Sequence, residues 1–166
     1  MKKLFQKYRE IIMYLIFGVL TTVVGMGTYF FIMLGAERLW PDAMQDETNA
    51  TYIAVYIAAQ IIQWVAAVLF AFVTNRKWVF TDADRSEGTL WKQLTLFAGS
   101  RVASLLLDMA VTYGCTLLLA LWITTPPVVL GVALTPGVIA KVIAAVLVVI
   151  ANYILSKLIV FKKKKD

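Results

Sequence analysis

The chain has 166 residues, of which 61% are hydrophobic and only 16% charged, well beyond the roughly half-apolar usage of a soluble globular domain, so composition places it in a bilayer. It has no histidine and one cysteine, Cys115, which excludes a disulfide framework and leaves no thiolate or imidazole cluster for a metal. Its net charge of +6 is mostly a topology signal, suited also to anionic lipid headgroups, and no nucleic-acid partner is expected.

Lys2, Lys3, Lys7 and Arg9 precede the first apolar run, Ile11 to Leu34. That run exceeds the ~20 residues needed to cross a ~30 Å hydrocarbon core. It is also longer than a signal-peptide core of about 7 to 15 residues and has no A-x-A-like site after it, so it is expected to persist as a span. Gly18, Thr22, Gly25 and Tyr29 recur at helical spacing, with Thr21 and Thr28 beside them, a small-residue stripe assigned to close helix packing. The acidic segment ERLWPDAMQDETN follows, with Arg38 its one cation.

Tyr52 to Thr74 forms a second charge-free run, closing on VTNRKWVF at residues 73–80. Arg76, Lys77, Arg85 and Lys92 lie between it and the third run, Leu94 to Leu121, which Arg101 and Asp108 interrupt. Trp122 to Pro136 carries no charge; its apolar stretch Val128 to Ala133, between Pro126-Pro127 and Pro136, is too short to span and is read as lying along the outer interface. The fourth run, Val138 to Ser156, contains only Lys141 and ends in ILSKLIVF at residues 154–161, followed by Lys162 to Lys165. The fold class is therefore all-α and polytopic, with four transmembrane helices at about 11–34, 52–74, 94–121 and 138–156.

Thirteen of the sixteen lysines and arginines fall in the N-terminal segment, the 75–93 loop and the C-terminal segment, which the positive-inside rule assigns to the cytoplasm with both termini. Trp40 and Trp122 then mark the outer boundary, and Trp78 and Trp91 the inner one, where amphipathic rings prefer to sit.

The two Val-Phe endings are 81 residues apart, and the offset holds without a gap: Phe17-Gly18 falls on Ala98-Gly99, Gln60 on Lys141, Ala71 on Asn152, Asn75 on Ser156, Arg76 on Lys157. Each unit has two spans and begins and ends on the basic side, so the repeats, about 7–80 and 88–161 of a single domain, are parallel hairpins.

Intramembrane ionisable residues are costly and mark functional positions. Arg101 and Asp108 are two turns apart and share a helix face with Ser104 and Thr112; Lys141, Asn152 and Ser156 line a second face, and Gln60 and Asn75 a third. At ~1.5 Å per residue Arg101 lies about 10 Å from the inner end of its span and Lys141 about 5 Å from the outer end of its own. Asp108 is the charge partner of one cation, Arg101 or Lys141 being left to an anion. An arginine fork and a mobile ammonium at two depths suit one lipid phosphate at two stages of a crossing. Asn75, Asn152, Gln60 and Ser156 are candidates for sugar hydroxyls or for ordering helix junctions.

FGVLTTVVG in span one, AFVTNRKWVF closing span two, FAGSRVASLLLDM in span three and KVIAAVLVVIANYILSKLIVF in span four together resemble the GtrA-like family of small four-span membrane proteins. The family pattern falls here on Ala71, Asn75, Val79, Phe80, Phe97, Arg101, Lys141 and Asn152, with Arg76 in the NR-x-WVF ending; Asp108 is not assigned to it. The resemblance implies a bacterial cytoplasmic-membrane protein that flips a polyprenyl-phosphate-linked monosaccharide for cell-envelope polysaccharide or teichoic-acid glycosylation, with membrane glycosyltransferases as partners. Two other readings stand beside it: a non-transporting subunit that anchors a glycosyltransferase, and a small multidrug exporter, which two intramembrane cations oppose. No Ser/His/Asp or Cys/His set, paired carboxylates or phosphate-cradling glycine loop is present, so neither an enzyme nor a bound cofactor is expected. Four helices make a thin wall around a phosphate and a sugar, so a homodimer is expected.

Overall fold

The computed structural model of the protein describes residues 2–86, 89–123, 125, 127–129 and 132–162. Lys163, Lys164 and Lys165 of the closing basic run, and Pro126, Leu130 and Gly131 around the short apolar stretch, lie outside the described residues. Four helices, Tyr8–Leu39, Ala50–Val79, Thr89–Ala120 and Pro136–Val160, are long and apolar enough to cross a membrane. The spans predicted at 11–34, 52–74 and 138–156 fall inside them; the third helix starts at Thr89 rather than Leu94 and ends at Ala120. The protein is an all-α, multi-pass membrane protein. Large apolar side chains such as Phe31 (80% exposed) and Leu106 (64% exposed) point outward, as hydrocarbon rather than water permits.

The chain divides into two compact units, Met1–Thr81 and Asp82–Asp166. In the first, α1 (Lys2–Leu39) packs on α3 (Ala50–Thr74). α1 stops where Pro41 follows: Trp40 takes φ −135°, ψ 61°, since a residue before proline is pushed from the helical region. Pro41 opens the single turn α2 (Pro41–Met44), and Asn49 starts α3 by accepting the Thr51 amide at 2.8 Å. The predicted small-residue stripe is used at one of its glycines: a Cβ on Gly25 would stand 3.5 Å from Ala67 Cβ and 3.9 Å from the Gln63 carbonyl, whereas Gly18 has nothing within 4 Å.

In the second unit α4 (Thr89–Ala120) packs on α5 (Pro136–Leu155). The apolar stretch before α5 pairs with itself: β1 (Val128–Val129) and β2 (Val132–Ala133) are antiparallel, Val128 opposite Ala133. Thr135 caps α5, accepting the Val138 amide at 3.3 Å, with Pro136 in the first turn where its missing N–H costs nothing.

Both units end alike. α3 widens into a π-helical turn at Asn75–Val79, and α5 into another at Ser156–Val160. The Phe80 amide donates to the Asn75 carbonyl at 2.8 Å, and the Phe161 amide to the Ser156 carbonyl at 2.8 Å, five residues back in each case. Phe80 (φ −96°, ψ 71°) and Phe161 (φ −103°, ψ 53°) then leave helical geometry, so Val79, Phe80, Val160 and Phe161 are all buried. Each terminal ring packs on the first helix of its own unit: Tyr14 and Phe80 have centroids 6.4 Å apart at 53°, Phe97 and Phe161 5.9 Å apart at 51°. The repeated Val-Phe sequence is a helix terminator that tucks its aromatic back beneath the hairpin.

Candidate functional site

In the second unit the three intramembrane charges separate into a pair and a remainder. Lys141 on α5 donates to the Asp108 carboxylate on α4, settling which cation the acid serves. The side chain of Lys141 is 60% exposed and that of Asp108 21%, so the ammonium presents an open side to its surroundings. Arg101 lies two turns before Asp108, and no carboxylate reaches it among the described residues. Its guanidinium carbon instead sits 4.7 Å from the centroid of the Phe97 ring, a cation–π arrangement that orients the planar fork while leaving its edge donors available.

Phe97 is fully buried against Phe161, so the second π-helical turn indirectly sets where Arg101 stands. Ser104, on the same face as predicted, uses its hydroxyl on the Arg101 carbonyl at 2.9 Å. Asn152 and Ser156 are buried on α5 and its π-helical turn, and neither Asn152 Oδ1 nor Ser156 Oγ has a hydrogen-bond partner. Lys157, at the end of this face, donates to the Tyr153 hydroxyl at 3.2 Å.

The first unit places its predicted residues in two groups. At the junction, Asn75 Nδ2 donates to the Ala71 carbonyl at 2.7 Å, while Asn75 Oδ1 is buried without a partner. An asparagine with an unpartnered oxygen thus occurs at each helix-to-π junction, at Asn75 in one unit and one turn earlier, at Asn152, in the other. Ala71 and Val79 are buried beside Asn75, Arg76 is half-buried, and Arg9 donates to the Trp78 carbonyl at 3.2 Å, meeting an acceptor at the helix end.

Gln60 stands apart from Asn75 in a group that sequence reasoning missed. It donates to the Tyr56 hydroxyl at 3.0 Å and accepts from Gln63. Tyr56 stacks on Tyr52 at 6.4 Å and meets Tyr29 of α1 edge-on at 6.3 Å. The signal was Tyr52, Tyr56 and Gln60 at four-residue spacing; Tyr29 joins only once the helices are packed.

Taken together, four apolar spans in two like-ended hairpins, with ionisable side chains inside the second, define a small tandem-hairpin membrane protein. The GtrA/DPMS transmembrane domain matches residues 13–161, and the chain belongs to that family. It is 30% identical over 154 residues to YwcD, an uncharacterised membrane protein of Bacillus subtilis, covering 93% of this chain and 98% of that one. It is likewise 30% identical over 161 residues to the cell wall teichoic acid glycosylation protein GtcA of Listeria monocytogenes, covering 94% of this chain and 87% of the relative. The GtcA of Listeria innocua is also 30% identical, over 156 residues. No solved structure matches the chain.

Proposed function

We propose that the protein carries a polyprenyl-phosphate-linked monosaccharide from the cytoplasmic to the outer leaflet of the bacterial cytoplasmic membrane, for glycosylation of a cell-wall polymer. Arg101 carries this reading: a permanently charged fork inside an apolar span, oriented by Phe97 and engaged by no carboxylate among the described residues. A cation in that position is stabilised by an anion that comes and goes, and a lipid phosphate is the anion a bilayer supplies. The polyprenyl tail stays in hydrocarbon, so only one phosphate and one sugar need shielding. Relatives named for teichoic acid glycosylation support the polymer. Arg101 and Lys141 take the phosphate, while Gln60, Asn75, Asn152 and Ser156 offer amide and hydroxyl groups to the sugar or its path.

No residue is assigned a bond-making role, and sugar transfer belongs to partner glycosyltransferases on either side. Both termini are cytoplasmic in this reading, and the working form is a homodimer that thickens the wall around the headgroup.

The test is reconstitution of the protein alone into vesicles holding a short-chain polyprenyl phosphosugar, with the outward-facing sugar oxidised by a membrane-impermeant reagent. Accelerated exposure that R101Q abolishes is the expected result. Vesicles that show no acceleration, with protein that still co-purifies with a glycosyltransferase, would establish the anchoring role instead.

A further inference from the structure

We infer that Asp108 is an internal stand-in for the substrate phosphate, holding Lys141 while the site is empty and yielding it by exchange when the lipid anion arrives. This rests on the proposed role of Lys141 as a phosphate ligand. Two observations and a balance of charge carry it. Lys141 is bound to Asp108 yet its side chain is 60% exposed, so a second anion can approach the ammonium from its open side. A phosphodiester and a carboxylate each bear one negative charge, so the exchange never leaves the ammonium bare in hydrocarbon, where an uncompensated charge is costly. The released carboxylate also has a place to go: Thr112 lies one helical turn after Asp108, and its buried hydroxyl has no hydrogen-bond partner. Residues four apart on a helix are neighbours, so that unused O–H can donate to Asp108 once Lys141 turns to the phosphate.

The exchange explains why an acid lies among cations that serve an anion. A bare Lys141 would bind any anionic headgroup; a pre-paired one admits only a ligand with enough additional contacts, at Arg101 and along its sugar, to displace the carboxylate. Asp108 is thereby a specificity-setting residue for the proposed transport, raising the threshold that ordinary anionic lipids must pass.

The probe is methyl farnesyl phosphate, a phosphodiester with one charge on a short isoprenoid tail, with binding measured to the full chain in nonionic detergent. Removing the competing carboxylate in D108N is expected to tighten binding roughly three- to tenfold, the span between an exposed ion pair and a charge-assisted hydrogen bond. The gain should vanish in D108N/K141Q relative to K141Q. T112V should weaken binding about two- to fivefold in the wild-type background and have no effect in D108N. A folded D108N that binds no tighter than wild type would overturn the inference and leave Asp108 a structural counter-ion.

Should D108N fail to fold, the wild-type protein decides. A carbodiimide joins the Asp108 carboxyl to the Lys141 amine as an amide, read by peptide mass, and saturating probe should suppress that link; an unchanged yield overturns the exchange. Probe bound by D108N but not by wild type supports the exchange; probe bound by neither, or bound equally well by R101Q, defeats the proposed function itself. Binding lost in R101Q but unaltered in D108N defeats the exchange alone.

Discussion

The Arg101 guanidinium lies over the face of Phe97, 4.7 Å from the ring centroid, and Phe97 is in turn buried against Phe161 of the second π-helical turn. The cation is thus aimed by a ring that the helix terminator fixes. F97L keeps an apolar side chain but removes the π face, forfeiting about 0.5–2 kcal/mol of cation–π orientation. Transport in reconstituted vesicles should fall several-fold in F97L while the protein stays folded, and R101K, which keeps charge but loses the planar fork, should fall further. An unaltered rate in F97L would mean that the ring packs without positioning.

The two helix junctions make opposite predictions at equivalent positions. Asn75 spends its amide on the Ala71 carbonyl at 2.7 Å, whereas Ser156 Oγ is buried with no partner. N75A should therefore lower stability, by up to about 1 kcal/mol for the lost hydrogen bond, partly offset by removal of the buried, unpartnered Oδ1. S156A removes a polar atom with nothing to bond and should be neutral or slightly stabilising. Thermal unfolding in detergent, followed by tryptophan fluorescence, separates the two; equal losses would show that the Ser156 hydroxyl is engaged in solution.

The four spans are legible in the sequence because their length and apolar character, charge-free in the first two and broken only by Arg101, Asp108 and Lys141 in the others, leave no soluble alternative. The 81-residue offset is legible because both copies keep the Val-Phe terminator. Partners are a different matter. Spacing along one helix sets the depth of Arg101 and Asp108 but not which residue of a neighbouring helix they meet, so Asp108 was open to either cation until α4 and α5 were packed. The π-helical turns turn on a backbone amide choosing the fifth rather than the fourth carbonyl back, a choice no side-chain pattern encodes. Val128–Ala133 is a short apolar run with prolines around it, which periodicity does not distinguish from an interfacial segment, and it pairs as a strand hairpin.

Gly25 and Gly18 share a sequence stripe but not an environment. A Cβ on Gly25 would reach ordinary contact with Ala67 at 3.5 Å, and one on Gly18 would meet nothing within 4 Å. G25A should thus be tolerated, while G25L, whose branches have no room against α3, should separate the first hairpin and lower stability by about 1–3 kcal/mol. G18L should leave the hairpin intact. Expression and unfolding temperature of the three variants are the readout, and a G18L as damaging as G25L would reveal a contact made by Gly18 outside its own hairpin.

Asp46 in the acidic loop should titrate below the usual carboxylate range, because the Thr48 hydroxyl, at 2.7 Å, and then its amide, at 2.9 Å, donate to the ionised form. A folded value below the unfolded one means that the turn's stabilisation is complete above the unfolded value and is lost as pH falls through the folded one. T48A removes the hydroxyl and keeps the amide, so the Asp46 titration should move back towards, without reaching, the ordinary value. Carbon-detected NMR titration of the carboxyl measures both; an identical midpoint in T48A would assign the depression to the amide alone.

The distribution of Lys and Arg predicts which loops face the cytoplasm, and three exposed positions test it. In a C115S background, single cysteines are placed by D42C between α1 and α3, by S86C in the basic loop before α4, and by T125C between α4 and α5; all three native residues are exposed. A membrane-impermeant maleimide added to intact cells should label D42C and T125C, and should label S86C only after the membrane is opened. Each hairpin would then begin and end inside, as two crossings per unit require. Labelling of S86C in intact cells would place the basic loop outside, invert the direction of transport proposed for Arg101, and remove the cytoplasmic reading of both termini at once.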